Sequence, residues 1–262
     1  MVINNEQIKN FAEEIALEYP EAETNLERIV TEEGLYVFYD NYGLNTFDGM
    51  TMYDNDKFYI HINTDQGNKP NTPRGRFTLA HELGHYYIDS HRIGLKKGLL
   101  EPHPSTLNHK RFSRIEREAD YFASNLLMPE NRFKETIYRK RFTPDLLDQL
   151  RDQFNVSRTA CAFRFADIGN HPIMIVYSES NSVKWKYSSP DFLYKFLLFE
   201  NKVPENTVMG EYFNGKHSET YKTEKVWAVD VFNYVREADL NLSVNEYCIA
   251  FKNKTLSIFW FL

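Results

Sequence analysis

Two periods alternate in the hydrophobic pattern of this chain. Apolar residues three and four positions apart predict helices, because such positions share one helical face. Strict alternation, or short runs rich in β-branched and aromatic residues, predicts strands. The predicted helices span residues 5–18, 25–31, 76–92, 113–128 and 130–140, two parts of 143–168, and a stretch near 190–200. The predicted strands span residues 34–41, 50–63 with a turn at 54–56, 172–178, 182–188, 225–232, 246–251 and 255–261.

The uneven distribution of these patterns predicts two domains of an α+β protein. Helices around a small sheet dominate residues 1–169, whereas strands dominate residues 170–262. The Gly-Asn-His-Pro sequence that starts at Gly169 is the expected boundary, since glycine and proline punctuate regular structure. Residues 65–75 are expected to form a loop and residues 94–112 an irregular connection. Residues 143–168 have the length and the central Asn-Val-Ser turn of a helix-turn-helix segment.

Composition narrows the function classes. The chain has 262 residues, of which 42% are hydrophobic, and this is enough for a sizeable core. No apolar run reaches the roughly 20 residues of a membrane span, and the acidic N-terminal segment lacks a signal-peptide pattern, so a cytoplasmic protein is expected. Two isolated cysteines, Cys161 and Cys248, exclude a disulfide framework and are expected in the core.

The charge distribution argues against a nucleic-acid-binding body. The net charge is −6, whereas DNA-binding domains are basic. The second helix of the helix-turn-helix-like segment offers Arg158 and Arg164 and little else that could read bases. Direct DNA binding is therefore not expected, and the segment is assigned a packing role.

The residues His81-Glu82-Leu83-Gly84-His85 form an H-E-x-x-H motif within a predicted helix. Positions i and i+4 lie on one helical face, so both imidazoles can reach one metal ion. Glu82 lies beside them, where a general base for a zinc-activated water would stand. The sequence therefore predicts His81 and His85 as metal ligands and Glu82 as the catalytic residue.

A catalytic zinc needs a third protein ligand, and the sequence offers three candidates. His91 occupies the spacing of a metzincin ligand, but Ile88 replaces the glycine of that pattern. Glu116 lies about 60° and Glu118 about 100° from the centre of the apolar face of the next helix, which favours Glu116. The sequence Ser113-x-x-Glu116 also matches a capping box, which would give Glu116 a purely structural role. Asp120 shares the Glu116 face and could accept a hydrogen bond from a zinc-bound histidine.

The segment TLAHELGHYYID, followed by E-x-E-A-D-x-F-A-x-x-L-L-M-P at residues 116–129, resembles the ImmA/IrrE family of zinc endopeptidases. The resemblance covers residues 35–170 and includes R-x-R-F-T at residues 74–78. It implies a gluzincin domain with one zinc ion per chain, held by His81, His85 and Glu116 with Asp120 behind. It further implies a bacterial cytoplasmic protease that cuts a helix-turn-helix repressor in a stress, defence or mobile-element circuit. The order of domains is similar to that of members with a GAF-like sensor at the C-terminus.

Two functions from different classes follow from this pattern. The first is a site-specific zinc endopeptidase, in which Glu82 takes a proton from water and passes it to the leaving amine. Residues 170–262 would then regulate it, and the strand KFYIHIN would pair as an edge strand with the extended substrate. The alternative is a regulator with a structural metal, whose helix-turn-helix-like or C-terminal domain binds DNA or a ligand. Glu82 favours the protease, because a structural site needs no base.

Overall fold

The computed structural model describes residues 4–101, 105 and 113–262, and it confirms the α+β class. The helices are α1 (Asn5–Leu17), α2 (Leu26–Glu32), α3 (Pro73–Tyr87), α4 (Asp89–Lys96), α5 (Arg114–Leu127), α6 (Glu130–Ile137), α7 (Pro144–Phe154), α8 (Arg158–Ile168), α9 (Val208–Phe213) and α10 (Ala228–Val231). The strands are β1 (Tyr36–Asp40), β2 (Gly49–Asp54), β3 (Lys57–Asn63), β4 (Ile173–Glu179), β5 (Ser182–Ser188), β6 (Tyr221–Trp227), β7 (Ser243–Phe251) and β8 (Lys254–Trp260).

The chain folds into two compact units that interleave in sequence. Unit 1 comprises Met1–Thr136 and Gln149–Ala160, and unit 2 comprises Ile137–Asp148 and Cys161–Leu262. The helix-turn-helix-like segment is therefore shared between the units, which sequence periodicity could not indicate. The division into domains 1–169 and 170–262 stays a prediction.

Unit 1 contains a three-stranded sheet in the order β1-β3-β2, with β1 parallel and β2 antiparallel to β3. The strand KFYIHIN, which is β3, is therefore central, and its expected role as an edge strand is wrong. Ile60 and Ile62 on the inward face of β3 are both fully buried. Strand β2 lies at the edge of this sheet and contacts α3.

Helix α3 carries the H-E-x-x-H motif and begins three residues earlier than predicted. Thr72 caps its N-terminus by accepting a hydrogen bond from Gly75 N, and Pro73 occupies the first turn, where its missing N–H costs nothing. The predicted loop 65–75 is thus wrong over its last residues.

The predicted helix 76–92 is interrupted at Ile88, whose extended backbone (ψ 112°) ends α3 and precedes α4. Helix α4 runs to Lys96, so the prediction of an irregular connection is wrong for residues 94–96. Most of that connection, at residues 102–104 and 106–112, lies outside the described residues.

Helices α3 and α5 pack closely against each other in unit 1. Gly84 permits this approach, because a Cβ atom there would stand 3.1 Å from the Cα of Ala119. Ala119, Phe122 and Ala123 on α5 are fully buried. The contact positions the motif histidines against the side chains of α5.

Unit 2 is built on an antiparallel five-stranded sheet in the order β5-β4-β8-β7-β6. Phe192, Phe232 and Phe259 pack in one core cluster with residues of α9 and α10. Phe142, from the inserted segment 137–148, packs edge-to-face with Phe165 of α8 and with Trp260, each at 5.0 Å between ring centroids. Both cysteines are buried, as expected.

Two secondary-structure predictions in unit 2 are wrong for the same kind of reason. Residues 190–200 form no helix, because Phe192 and Tyr194 are buried while Leu193 between them is 45% exposed, which is the two-residue period of extended chain. The predicted strand 225–232 ends at Trp227, after which Ala228 and Val231, three positions apart, are buried in α10.

The helix-turn-helix-like segment forms the two expected helices, α7 and α8, joined by a turn in which Asn155 has a φ of 48°. Helix α8 buries Arg164, which is 2% exposed, together with Cys161 and Phe165. An arginine buried in this way cannot reach a DNA groove. The packing role and the absence of DNA binding stay predictions that this burial supports.

Candidate active site

Helix α3 brings the side chains of His81, Glu82 and His85 to one buried place. The three are 3%, 0% and 2% exposed. The two Nε2 atoms face each other at 3.1 Å, so both imidazoles direct the same ring nitrogen toward one point. This is the geometry that the i, i+4 spacing predicts for two ligands of one ion.

Helix α5 adds the carboxylate of Glu116 to this point. Its oxygens lie 3.3 Å from His81 Nε2 and 3.4 Å from His85 Nε2. The ligand atoms of the three residues all lie within 4.8 Å of one another. Ser113 caps α5 by accepting a hydrogen bond from Glu116 N, while the Glu116 carboxylate faces the histidines.

Asp120, one turn beyond Glu116, lies behind His81. Its Oδ1 is 2.8 Å from His81 Nδ1, which leaves Nε2 directed at the cluster, as in carboxylate–histidine–zinc arrangements. Burial lowers the pKa of His81, but hydrogen bonds to Asp120 and Glu116 outweigh it and raise the pKa to about 10. Two imidazoles with a carboxylate are a donor set that suits zinc. The residues present therefore fit a divalent metal.

Glu82 is oriented by strand β2 rather than by its own helix. Thr51 donates a hydrogen bond to Glu82 Oε2 at 2.7 Å. Burial raises the pKa of Glu82, while His81 and the Thr51 hydrogen bond act in the opposite direction. A Cβ atom at Gly49 would stand 2.5 Å from Glu82 Oε1, so glycine is needed where β2 passes this carboxylate.

The two other candidates for the third ligand, His91 and Glu118, pair with each other. His91 Nε2 lies 3.0 Å from Glu118 Oε2, and Arg114 donates to the other carboxylate oxygen at 2.6 Å. His91 is 1% exposed, so it is a buried partner of Glu118. Its ring lies 5.1 Å from that of His85, which places this pair beside the cluster rather than in it.

The R-x-R-F-T run ties α3 to the surrounding loops. Arg74 donates to Asp48 Oδ1 at 2.6 Å, and Asn68 donates to the same oxygen at 2.8 Å. Thr78 of α3 in turn donates to Asn68 Oδ1 at 2.8 Å. This network fixes the start of β2 against α3, and thereby Thr51 against Glu82.

Sequence reasoning missed Gly49 and Thr51. The signal that could have found them is strand alternation, because it places both on the inward face of β2, where a glycine and a small hydroxyl replace apolar residues. When a glycine and a small hydroxyl residue lie on the inward face of a strand beside a catalytic helix, they leave room for a side chain of that helix and offer it a hydrogen bond.

Comparison with known proteins agrees with this geometry. The family model described as the IrrE N-terminal-like domain, a peptidase family, matches residues 31–166, about half of the chain and the whole of the cluster. The chain belongs to this family. The resemblance seen in the motifs is thus confirmed, and the family is one of metallopeptidases, which implies a divalent metal.

Two individual proteins are similar to this chain. Metallopeptidase ImmA of Bacillus subtilis (strain 168) is 25% identical over 151 residues, which are 56% of this chain and 78% of ImmA. A solved Mycobacterium tuberculosis transcriptional regulator is 13% identical with a TM-score of 0.59, covering 97% of this chain and 76% of the regulator. The second likeness concerns the fold, and it extends through both units. Among the described residues, no helix combines the length and hydropathy needed to cross a bilayer.

Proposed function

We propose that this chain is a cytoplasmic, zinc-dependent and site-specific endopeptidase. Its proposed substrate is a helix-turn-helix transcriptional repressor in a bacterial stress, defence or mobile-element circuit. The observation that carries the proposal is the convergence of His81, His85 and Glu116 beside the buried carboxylate of Glu82. Membership in a metallopeptidase family supports it.

His81, His85 and Glu116 would hold one zinc ion, with Asp120 fixing the ring of His81. Zinc bound there supplies Lewis acidity toward the scissile carbonyl and lowers the pKa of water to about 7. Glu82 takes the proton of the attacking water and delivers it to the leaving amine. Thr51 donates a hydrogen bond to Glu82 Oε2 and so fixes the position of this carboxylate.

The edge strand β2 is the proposed docking site for the substrate backbone. At its start, Gly49 and Ser105 pair in antiparallel fashion, with Ser105 N donating to Gly49 O at 2.9 Å. Since backbone groups alternate in direction, Thr51 and Tyr53 direct theirs to the same side as Gly49. An extended substrate that pairs there lies next to Glu82, which is main-chain recognition by strand addition.

The test is cleavage of a defined protein. The full chain, loaded with one equivalent of zinc, is incubated with a small helix-turn-helix repressor encoded beside its gene, and the products are weighed by intact-mass spectrometry. We expect two fragments from a single cut, no cut after chelation, and recovery when zinc is restored.

Casein serves as the control for specificity, because it is unfolded and offers many bonds. We expect it to remain intact under conditions in which the repressor is cut. Zinc-loaded protein that leaves the repressor intact contradicts the proposed substrate, and rapid digestion of casein contradicts the proposed specificity.

A further inference from the structure

The two edges of the sheet in unit 2 differ. Strand β5 is partly covered, since Ser182 bridges Lys202 and Val183 N donates to Asn201 O at 3.1 Å. Strand β6 ends the sheet on the other side. Within the part of the chain that the structure describes, no backbone group pairs with Thr223 or Lys225 on the side away from β7. An edge strand with unpaired backbone groups is a template for another strand.

The direction of the backbone groups of β6 follows from its pairing with β7. Ala250 N donates to Thr220 O, and Ala228 N donates to Leu242 O, so both ends of β6 place even-numbered residues in hydrogen-bonded pairs with β7. The register between them has no bulge. The N–H and C=O groups of Thr223 and Lys225 therefore point outward, because these directions alternate along a strand.

The sequence Tyr221-Lys222-Thr223-Glu224-Lys225 at this edge is complementary to itself in one antiparallel register. With a two-fold axis at Thr223, each Lys222 stands opposite Glu224 of the other copy, and each Lys225 stands opposite Tyr221. Thr223 then forms a hydrogen-bonded pair with its own copy. Lys222 and Glu224 occupy the closer, non-hydrogen-bonded pairs, where opposite charges attract most.

The neighbouring symmetric registers are unfavourable. An axis at Glu224 sets two carboxylates opposite each other, and an axis at Lys225 sets two ammonium groups opposite each other, which destabilises a strand pair. In the register centred on Thr223, Lys222 and Glu224 already have charged neighbours within their own chain. Lys222 lies 3.0 Å from Glu211 and 2.9 Å from Glu224 of its own chain, so in this register each Glu224 would lie between the Lys222 side chains of both copies.

From this arrangement we infer that the chain forms a homodimer through antiparallel pairing of β6 with β6 of a second copy, centred on Thr223. The two sheets join into one continuous ten-stranded sheet. Charged residues on an edge strand can also serve to keep copies apart. Here the alternation of sign along β6 brings each Lys222 to a Glu224, which attracts a second copy rather than repelling it.

The mass of the full chain in solution tests this inference. Sedimentation velocity is measured from about 1 to about 100 µM, the range in which small interfaces associate. We expect twice the monomer mass of 31.0 kDa at the upper end. Glu224→Lys is expected to weaken the dimer at least tenfold, because it opposes two pairs of like charges. Lys222→Glu combined with Glu224→Lys exchanges the charges and is expected to restore it.

Two further variants separate pairing from folding. Thr223→Pro removes an N–H that points away from β7, so the sheet of each copy is kept while the dimer is expected to dissociate. Glu237→Lys makes the same charge change at an exposed residue outside β6 and is expected to leave the dimer intact. A monomeric wild type at the highest concentration overturns the inference. So does a dimer that both Glu224→Lys and Thr223→Pro leave unchanged.

Discussion

Glu116 and Glu118 stand two positions apart on α5, and their different neighbours define different roles. Glu116 faces the Nε2 atoms of both motif histidines, whereas Glu118 is held by His91 and Arg114. Helical angles in the sequence favour Glu116 as the third ligand, and this choice stays a prediction that the geometry supports. The pairing of the rejected candidates could not be predicted in this way, because it depends on α4, whose start at Asp89 interrupts the predicted helix.

Matched amide variants test the third ligand. Glu116→Gln is expected to lower zinc affinity by more than tenfold, because it removes the only charged ligand proposed. Mutation of a residue that merely supports a ligand can already cause a tenfold loss. Glu118→Gln is expected to keep near-normal zinc affinity, since its carboxylate faces His91. Zinc is measured by elemental analysis after dialysis. Equal retention in the two variants would contradict the assignment of Glu116.

Glu246 on β7 is a fully buried carboxylate in unit 2. It accepts hydrogen bonds from Val208 N at 2.6 Å and from Met209 N at 3.0 Å, and so caps the start of α9. Ser257 donates a third hydrogen bond at 2.6 Å. Burial nevertheless raises the pKa of Glu246 to about 7, and nearby Glu211 acts in the same direction.

A raised pKa in the folded state makes the stability of unit 2 depend on pH. Protonated Glu246 contributes about 3 kcal/mol to the free energy of unfolding of unit 2. This contribution is fully present below the unfolded pKa of about 4.5 and is lost as pH rises through about 7. Glu246→Gln does not titrate, so the unfolding free energy of wild type relative to this variant is expected to fall over that window. All three tryptophans lie in unit 2, and their fluorescence reports its unfolding. A pH-independent difference would contradict the raised pKa.

At the scale of elements, the site depends on how closely β2 passes α3. The sequence predicts both elements, because a helix that carries H-E-x-x-H and an aromatic-rich strand have clear local patterns. It does not predict their contact, which depends on the loop network of Asp48, Asn68 and Arg74. The central position of β3 was missed for the same reason, since strand order is a matter of long-range pairing.

Gly49→Ala tests this contact. The added methyl overlaps Glu82 Oε1 at 2.5 Å and Thr78 Cγ2 at 2.8 Å, so Glu82 must move. A displacement of about 1 Å in a catalytic group costs about a hundredfold in kcat. We expect a large loss in kcat with normal zinc content, and a lower melting temperature because the methyl overpacks a buried contact. Unchanged kcat would show that β2 does not position Glu82.

At the scale of the whole molecule, the two units share the segment 137–168. Sequence composition indicates the change from helices to strands near Gly169. The packing of Phe142 on Phe165 and on Trp260, however, assigns parts of the earlier chain to unit 2. Aromatic residues on helices are compatible with either unit, so their partners could not be identified from the pattern. We propose that residues 170–262 regulate the peptidase, since the candidate metal-binding cluster found among the described residues lies in unit 1.

Removal of residues 170–262 is expected to change the rate of repressor cleavage, because a regulatory domain favours one of two states of the enzyme. Phe142→Ala in the full chain is the control, as it loses the contact with Trp260 but keeps the domain. The truncated protein must first be shown to be folded and zinc-loaded by circular dichroism and elemental analysis. Cleavage at the wild-type rate by such a protein would contradict a regulatory role.

The most direct test of the account is Glu82→Gln, compared with wild type in zinc content and repressor cleavage. The amide keeps the shape of the side chain and can still contact Thr51, so we expect a folded protein with one zinc per chain. It cannot accept a proton from water, so we expect cleavage to fall below about one hundredth of the wild-type rate. Cleavage by zinc-loaded Glu82→Gln at near the wild-type rate would contradict the proposed peptidase mechanism.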